Sequence, residues 1–545
     1  MSPIPDIKQK LFITATFTAE PIEDALNYWM KELNLSFQIE FAPYNQVFQQ
    51  LYDPTGPISR AEKGVNIILV RLEDWQRFEK PRIDLDEKAE RHTSELIGAL
   101  QSAAVRSTSP IIVCLCPASP LVLADAQRAA FFDEMETRLA THLEPVSGVH
   151  LVTSADLVRL YPVKEYYDAY TDQAGHIPYT TACFTALATM LARKIYALQT
   201  APRKVIVLDC DNTLWKGICG ENGPSGIAID PPYQALQEFM AGQHAAGRLL
   251  CLCSKNSETD VFDVFAHHPE MPLKRAHLLA WRINWQPKSE NLIALAEELQ
   301  LGLDSFIFLD DNPMECAEVQ SHCPQVLTLQ LPEKPERIQR FLQHVWPFDH
   351  FKLTATDRQR TDLYRQNLER EQFRQGVSTF EEFLAALELE IRIAEMAPEH
   401  TERVAQLTQR TNQFNVTTIR RTESEIQRLS LAKNLEFLVV EVRDRFGDYG
   451  LVGVMAFETQ ADVLRVDTFL LSCRVLGRGV EHQMWRELGK IALARELNTL
   501  AIPFLPTPKN QPALDFLNKV GADYRQPYQQ DGWLFVFPAQ VTIIS

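Results

Sequence analysis

The stretch that decides the fold is VIVLDCDNTLWKG, residues 205–217. It opens with a short apolar run that ends in a carboxylate, which is typical of a buried strand in a parallel sheet. Asp209 and Asp211 follow at the carboxyl end of that strand, where open α/β sheets bind their ligands. Two carboxylates one residue apart, next to Thr213, suit phosphoryl transfer. One can be a nucleophile, the other an acid or base, and both can approach a divalent cation.

Three later segments complete a phosphoryl-transfer set. Ser254 ends the apolar run LLCLCS and is followed two residues later by Asn256, and Lys288 lies in NWQPKSENL. Asp310 and Asp311 stand at the end of SFIFLD and just after it. The set therefore contains a hydroxyl donor, a cation that can hold phosphate, and acids that can anchor Mg²⁺. An isolated D-x-D pair arises easily by chance, but the ordered set favours an intact phosphoryl-transfer site.

This four-part set closely resembles the haloacid dehalogenase (HAD) superfamily. The longer segments LDCDNTLWKGICGENG, CSKN, NWQPKSENL and FLDDNPMECAEV resemble the FkbH-like family, which is associated with loading glyceryl groups onto carrier proteins. Four further segments extend the resemblance over nearly the whole chain: FTAEPIEDALNYWMKELNLSFQIEFAPYNQ, QLTQRTNQFNVTT, VRDRFGDYGLVGV and LLSCRVLGRGVEHQ.

The resemblance implies a role for each matched residue. Asp209 would be the phosphoryl-accepting nucleophile and a Mg²⁺ ligand. Asp211 would be the general acid or base, with its backbone carbonyl on the metal. The other matched residues would bind phosphate or metal: Thr213, Ser254 and Asn256 the phosphoryl oxygens, Lys288 the phosphate and the nucleophile, and Asp310 and Asp311 the Mg²⁺.

The resemblance also implies a thioester step. A glyceryl unit would pass from 1,3-bisphosphoglycerate to an enzyme cysteine and then to the phosphopantetheine thiol of an acyl carrier protein. Cys210, between the two aspartates, and Cys219, in the Gly-rich flap KGICGENG, are both candidates. Strand alternation would turn Cys210 away from Asp209, and acidic neighbours raise a thiol pKa. Cys219 depends on the geometry of the flap, and Cys473 is a third candidate.

The alternation of strands and helices predicts three units. Residues 1–200 and 204–345 each alternate apolar runs with helical patterns, which predicts two α/β units with parallel sheets. Residues 331–351 look like a connector with a helix, and residues 360–396 look helical. Residues 360–545 end in a mixed α+β unit, in which a helix precedes three strands, another helix and a further strand.

The last unit contains Arg474, Gly477 and Gly479 in the spacing R-x-x-G-x-G, between a strand and a helix. A Gly-rich turn at a helix N-terminus offers backbone N–H groups to a pyrophosphate. The segment resembles the acyl-CoA loop of GNAT N-acetyltransferases, and KNQPALDFLNKVGADY resembles their closing helix. Two interpretations stay open: a GNAT-like domain that binds pantetheine, or a fold that serves only as a scaffold.

The N-terminal unit resembles SGNH-type hydrolases, but its first strand ends in ITATFT where such an enzyme needs a serine in a G-D-S context. Asp172 and His176 are spaced one residue further apart than the usual pair. Thr16 or Thr18 could substitute for the serine. We expect a non-catalytic docking or dimerising domain instead, in which His176 has a structural or interface role.

Composition excludes several classes of partner. The chain has 545 residues, 54 Lys and Arg against 71 Asp and Glu, and a net charge of −17. This balance disfavours nucleic acid and acidic lipid surfaces. We find neither a signal peptide nor the ~18 consecutive apolar residues that span a bilayer. With 10 scattered cysteines, the sequence predicts a cytoplasmic protein. Because carrier proteins are usually acidic as well, we expect a local basic patch near Arg474 and Arg478.

Three rival interpretations remain. The chain could be a HAD phosphatase of a small phosphorylated metabolite with accessory domains. It could be a GNAT-type acyltransferase whose HAD unit is regulatory, or a docking scaffold without catalysis. The cysteines beside the intact motifs favour glyceryl transfer over a plain phosphatase, and the intact D-x-D-x-T argues against a scaffold. The carrier, the exact acyl donor and the oligomeric state stay open.

Overall fold

The computed structural model describes residues 9–60, 64–77, 85–349, 360–375, 382, 386–432, 434–529 and 531–544. The chain divides into two compact units. The first comprises Met1–Thr200 with Arg421–Ala432, and the second comprises Ala201–Arg420 with Lys433–Ser545. The division into three domains at the boundaries expected from the sequence stays a prediction. Among the described residues, no helix combines the length and apolar character needed to cross a bilayer.

The first unit contains a five-stranded parallel sheet in the order β2-β1-β3-β4-β5. Its strands are β1 Gln9–Ala15, β2 Phe37–Phe41, β3 Gly64–Val70, β4 Ile111–Leu115 and β5 Val149–Val152. The predicted parallel sheet is confirmed. Its inner strands are near-continuous apolar runs, as is typical of strands that are buried on both faces. Its helices are Glu23–Glu32, Val47–Tyr52, Leu85–Arg106, Pro120–Leu123, Ala126–Leu143, Ser154–Leu160, Ala169–Gly175, Thr181–Gln199 and Glu423–Leu431.

A second five-stranded parallel sheet lies in the second unit, in the order β10-β9-β6-β7-β8. Its strands are β6 Val205–Leu208, β7 Leu249–Ser254, β8 Leu278–Ile283, β9 Phe306–Asp310 and β10 Leu327–Gln330. The helices of this part are Cys219–Asn222, Pro231–Ala245, Glu258–His267, Lys288–Leu299, Pro313–His322 and Ile338–Gln343, the last in the predicted connector.

The two faces of this sheet bury different side chains of β6. Val205 and Val207 belong to the apolar cluster on one face. Ile206 and Leu208 belong to the cluster on the other face, and Cys210 continues their alternation. Since β6 is the central strand, its carboxyl end brings Asp209 to the middle of the sheet edge.

The rest of the second unit contains a seven-stranded sheet in the order β11-β12-β13-β14-β15-β17-β16. Its strands are β11 Glu390–Glu395, β12 Glu436–Asp444, β13 Gly447–Gln460, β14 Val463–Leu471, β15 Thr499–Phe504, β16 Arg525–Tyr528 and β17 Gly532–Pro538. Its helices are Arg360–Gln375, Thr401–Arg410, Val480–Ala494, Gln511–Gly521 and Val541–Ile544. The mixed α+β arrangement is confirmed. The helical expectation for residues 360–396 is wrong at β11, which the antiparallel pairing with β12 holds extended.

One parallel pair interrupts the otherwise antiparallel sheet. β14 and β15 pair only between Val463–Arg465 and Thr499–Ala501. Beyond that, the segment Phe414–Thr417 is bonded to both strands. Its Val416 N–H donates to the carbonyl of Phe469 at 3.2 Å, and its Val416 carbonyl accepts the N–H of Leu505 at 2.8 Å. The chain itself therefore fills the gap between these two strands.

Candidate active site

The carboxyl edge of the second sheet holds a buried ion cluster around Lys288. Lys288 is the first residue of its helix and is 3% exposed. Its Nζ donates to Asp209 Oδ1 at 2.8 Å and also to Asp310 Oδ2. Burial alone would lower the pKa of Lys288, but Asp209 and Asp310 outweigh it and raise the pKa above its usual range. Lys288 is therefore a permanent cation between two carboxylates of neighbouring strands.

Asp209, Asp310 and Asp311 form a cluster in which one carboxylate oxygen of each lies within 4.8 Å of the others. Burial, and then the charge of Asp209, raises the pKa of Asp310 to about 6. The same two causes raise the pKa of Asp311. The carboxylates of this cluster therefore repel one another, and the single ammonium group of Lys288 does not neutralise them. Carboxylate oxygens grouped in this way fit a hard divalent cation such as Mg²⁺.

Two hydroxyl groups predicted to bind phosphate lie at the same edge. Thr213 is fully buried, and its Oγ1 donates to Asp311 Oδ1 at 3.3 Å. Ser254 is the last residue of β7 and is 2% exposed, and its hydroxyl donates to the sulfur of Cys210. Thr213 is thus beside the carboxylate cluster, whereas Ser254 faces the thiol next to it.

Asp211 lies outside the three-carboxylate cluster, and its side chain faces the flap. Its Oδ1 accepts from Trp215 Nε1 at 2.8 Å and from the Cys219 N–H at 3.0 Å. Its Oδ2 accepts from Asn256 Nδ2 at 2.7 Å. Asn256, predicted to bind phosphate, therefore orients Asp211 instead. The carboxylate of Asp211 is held by three donors, and the role of its carbonyl on a metal stays a prediction.

The flap that carries Cys219 is pinned at its base. Lys216 and Ala228 exchange two backbone hydrogen bonds, at 2.8 and 3.0 Å. Gly217 has a φ of +106°, which a side chain rarely tolerates. The short helix Cys219–Asn222 follows, and its first N–H reaches Asp211. The flap sequence thus folds back to the catalytic edge, as the Gly-rich pattern predicted.

The two candidate cysteines have different surroundings. Cys210 is fully buried on the face opposite Val205 and Val207, so the alternation objection is confirmed. Burial, and then Asp209, raises its thiol pKa well above the usual value. Cys219 is 2% exposed, and its Sγ accepts from Asn256 Nδ2 at 3.2 Å. Burial, and then Asp211, raises its pKa to about 12.

Cys473, the third candidate, lies elsewhere. It lines a groove of about 520 Å³ together with Gly477 and residues such as Ala296 and Gln300. Gln300 follows the C-terminal end of the helix that starts with Lys288. The length of that helix therefore separates Cys473 from the carboxylate cluster.

The expected basic patch near Arg474 and Arg478 is wrong. Both side chains are buried, at 8% and 9% exposed. Arg478 donates to the Tyr449 hydroxyl and lies 5.4 Å from the centre of its ring. Packing against Tyr449 thus removes this charge from the surface. Spacing along the sequence could not reveal this, because Tyr449 comes from another strand.

The Gly-rich turn after β14 is present. Gly477 and Gly479 have φ of +76° and +85°, and the helix starts at Val480. Burial raises the pKa of the Glu481 carboxyl in the first turn of this helix, and the nearby backbone N–H groups of Glu481 and Gly477 lower it. The pantetheine site at Arg474, Gly477 and Gly479 stays a prediction.

The carboxyl edge of the first sheet holds another buried cluster. Asp74 joins Thr16 and His176, accepting from Thr16 Oγ1 at 2.7 Å and contacting His176 Nε2 at 2.9 Å. Arg71 binds Asp74 through Nε at 2.6 Å and Asp172 through Nη1 at 2.9 Å. Asp172 is thus the partner of an arginine. His176 fits the expected structural role, and sequence reasoning missed Arg71 and Asp74, which only the fold brings to it.

Three exposed apolar side chains, which sequence reasoning also missed, follow strands of the second sheet. Trp285 is 76% exposed and comes after β8, and Met314 is 75% exposed and comes after β9. Ile218, 39% exposed, precedes Cys219 in the flap. All three therefore lie on segments that leave the edge occupied by Asp209.

No protein-family model matches the sequence, and no curated protein matches it. One solved structure is the N-terminal part of protein BF1531 from Bacteroides fragilis, which contains a phosphatase domain and is complexed with Mg. It covers 63% of this chain and 94% of its own, with 22% identity and a TM-score of 0.55. The two proteins therefore share a fold over that part.

A second solved structure, PaiA N-acetyltransferase from Thermoplasma acidophilum in complex with coenzyme A, covers 27% of this chain and 99% of its own. Its identity is 11% and its TM-score is 0.21. Likeness at this level does not bear on the fold. The GNAT-like and SGNH-like assignments of the outer units therefore stay predictions.

Proposed function

We propose that this chain is a Mg²⁺-dependent HAD-type enzyme that takes a glyceryl group from 1,3-bisphosphoglycerate, removes its remaining phosphate and loads it on an acyl carrier protein. The observation that carries the proposal is the clustering of Asp209, Asp310 and Asp311 around Lys288 at one sheet edge. The fold shared with a phosphatase-containing protein complexed with Mg also supports it.

In the phosphoryl step, an Asp209 oxygen attacks phosphorus, and the bond from phosphorus to the substrate oxygen breaks. Asp211 donates the proton that the leaving oxygen needs, and later accepts one from the water that hydrolyses the aspartyl phosphate. Lys288 and Thr213 hold the phosphoryl oxygens. Asp209, Asp310 and Asp311 would hold Mg²⁺, which would supply positive charge for the transferring phosphoryl group.

In the acyl step, Cys219 is the acceptor. Its sulfur attacks the acyl-phosphate carbonyl, the carbon–oxygen bond breaks, and inorganic phosphate leaves. Because its pKa is raised to about 12, the thiol is neutral at physiological pH and loses its proton during the attack. Asp211, whose Oδ1 accepts the Cys219 backbone N–H at 3.0 Å, is the base at hand. Exchange with the carrier thiol then releases Cys219.

The carrier protein is proposed as the partner on the strength of Ile218, Trp285 and Met314. A carrier would bring its thiol to the edge that these side chains flank. Aromatic and Met side chains are enriched at protein interfaces, and Trp often dominates binding energy. Because the net charge of −17 does not attract an acidic carrier, we expect apolar contacts to provide the binding energy.

The second candidate function is a phosphatase of a small phosphorylated metabolite. The burial of Cys219 favours it, because a thiol at 2% exposure with a pKa near 12 is a poor nucleophile. In this case Asp211 would serve only the phosphoryl step, and the cysteine would pack under the flap.

Intact-protein mass spectrometry separates the two. Enzyme is mixed with Mg²⁺, 1,3-bisphosphoglycerate and holo carrier protein, and both proteins are weighed. The proposal predicts a glyceryl mass on the carrier, lost in Cys219→Ala and kept in the matched Cys210→Ala. Phosphate release without an acyl mass on either protein would leave only the phosphatase. Phosphate release from 3-phosphoglycerate, which has only the ester phosphate, that survives Asp209→Asn would contradict both functions.

A further inference from the structure

Lys255 and Glu315 form an ion pair that crosses the catalytic edge. Lys255 Nζ lies 2.8 Å from Glu315 Oε1. Lys255 follows β7, and Glu315 lies in the first turn of the helix after β9. Because β6 lies between β7 and β9, the pair spans the strand that delivers Asp209.

The neighbours of Lys255 place it next to the proposed chemistry. Ser254 before it donates to the Cys210 sulfur, and Asn256 after it donates to Asp211. Its own side chain turns instead to Glu315 and is 37% exposed. The second Glu315 oxygen, Oε2, is buried without a hydrogen-bond partner among the described residues. The pair is therefore half-open to solvent and incompletely satisfied.

The charge of the edge shows why this lysine matters. Lys288 is shared by Asp209, Asp310 and, in the proposed function, the transferring phosphoryl group, so it is not available to a second anionic group. A divalent cation on the carboxylate cluster would compensate one phosphate. A second anionic group on the same substrate would need a cation of its own. Lys255 is the more exposed member of its pair, 37% against 17% for Glu315, so its ammonium group can turn to a group that arrives from solvent.

We propose that Lys255 is a specificity-determining residue that leaves Glu315 to bind a second anionic group of the substrate. This inference rests on the proposed function of the same site and assigns the residue that recognises the second anionic group of its substrate, a carboxylate or a phosphate. Glu315 holds the lysine in place between turnovers and competes with the substrate for it. No bond is made or broken in this exchange.

Two substrates that differ in one group provide the test. Phosphate release is measured with 3-phosphoglycerate, which has a carboxylate, and with glycerol 3-phosphate, which has a hydroxymethyl group there. Lys255→Met is expected to lower kcat/KM for 3-phosphoglycerate about tenfold or more, the cost of a lost charged hydrogen bond. For glycerol 3-phosphate, Lys255→Met is expected to change kcat/KM by less than about twofold. Glu315→Gln, which removes the competitor, is expected to lower KM for 3-phosphoglycerate only.

The control is Lys490→Met, which breaks a Lys–Glu ion pair of 3.0 Å in the helix Val480–Ala494. It should leave kcat/KM for both substrates unchanged. Equal losses for both substrates in Lys255→Met, or no loss, would overturn the inference, as would a KM for 3-phosphoglycerate that Glu315→Gln leaves unchanged or raises. The Asp209→Asn variant distinguishes a failure of this inference from a failure of the proposed function. If phosphate release does not depend on Asp209, the proposed function itself fails, whatever Lys255 does.

Discussion

Two carboxyl edges of two five-stranded parallel sheets can be compared directly. At the edge of the first sheet, Arg71 and Arg77 pair with Glu73, Asp74 and Asp172, so each buried carboxylate has a guanidinium partner and the charges nearly balance. At the edge of the second sheet, the three carboxylates of Asp209, Asp310 and Asp311 face one ammonium group, that of Lys288. The first, nearly balanced cluster stabilises the fold. The second, unbalanced cluster has too few cations for its carboxylates, and the proposed function places Mg²⁺ there.

The largest expected effect comes from removing the nucleophile at the unbalanced edge. Asp209→Asn should lower phosphate release by about 10³-fold or more, because no carboxylate then attacks phosphorus. A colorimetric phosphate assay with 3-phosphoglycerate and Mg²⁺ measures it. As the matched change at the balanced edge, Asp172→Asn should leave the specific activity of the folded fraction unchanged. Equal losses in the two variants would remove the contrast between the edges.

The next effect belongs to the balanced edge and concerns stability. Arg71→Met leaves the buried carboxylate of Asp74 without its guanidinium partner and leaves Asp172 with Arg77 alone, and the Arg71 side chain is only 2% exposed. Breaking a buried pair by removing one partner costs about 3–5 kcal/mol. Denaturant unfolding, monitored in the first unit, measures the loss.

An exposed pair of the same unit is the control. Arg159 and Asp156 lie 2.9 Å apart with side chains 58% and 44% exposed. Arg159→Met should cost less than about 1 kcal/mol. A similar loss in both variants would mean that the Arg71 network does not hold the fold.

A smaller effect is a pH dependence of stability without metal. The pKa of Asp310 is raised to about 6 by burial and by Asp209, above its value in the unfolded chain. Its protonation therefore stabilises the fold below about pH 4, and this contribution is lost as pH rises through 6. In EDTA, the midpoint of thermal unfolding should fall over this range, by the equivalent of about 3 kcal/mol. Asp310→Asn should flatten the profile, and a flat wild-type profile would contradict the repulsion.

The sequence predicted the elements whose residues are apolar throughout. β6 to β9 are such runs, and their ends delivered Asp209, Ser254 and Asp310 to one edge, as expected. The strands β2 and β10 were not predicted, because they are short and only partly buried. Such patterns are weak on their own.

The sites that failed depend on contacts between distant segments. Arg474 and Arg478 looked available in the sequence, yet Arg478 is buried against Tyr449. The Gly-rich turn was correctly placed between β14 and a helix. Strand alternation alone argued against Cys210, and the structure buries that residue in the apolar cluster. The position of Cys219 beside Asp211 depends on the path of the flap, which the sequence does not reveal.

Calorimetric titration of Mg²⁺ into the metal-free protein tests most directly whether the excess of carboxylates at the second sheet edge binds a cation. The account predicts binding at one site, weakened about tenfold or more by Asp311→Asn, because carboxylate oxygens supply the affinity for this ion. Asp304→Asn, an exposed aspartate paired with Lys509 in the same unit, should leave the binding unchanged. Absence of Mg²⁺ binding, or binding that Asp311→Asn does not weaken, would contradict the assignment of the second sheet edge as the functional site.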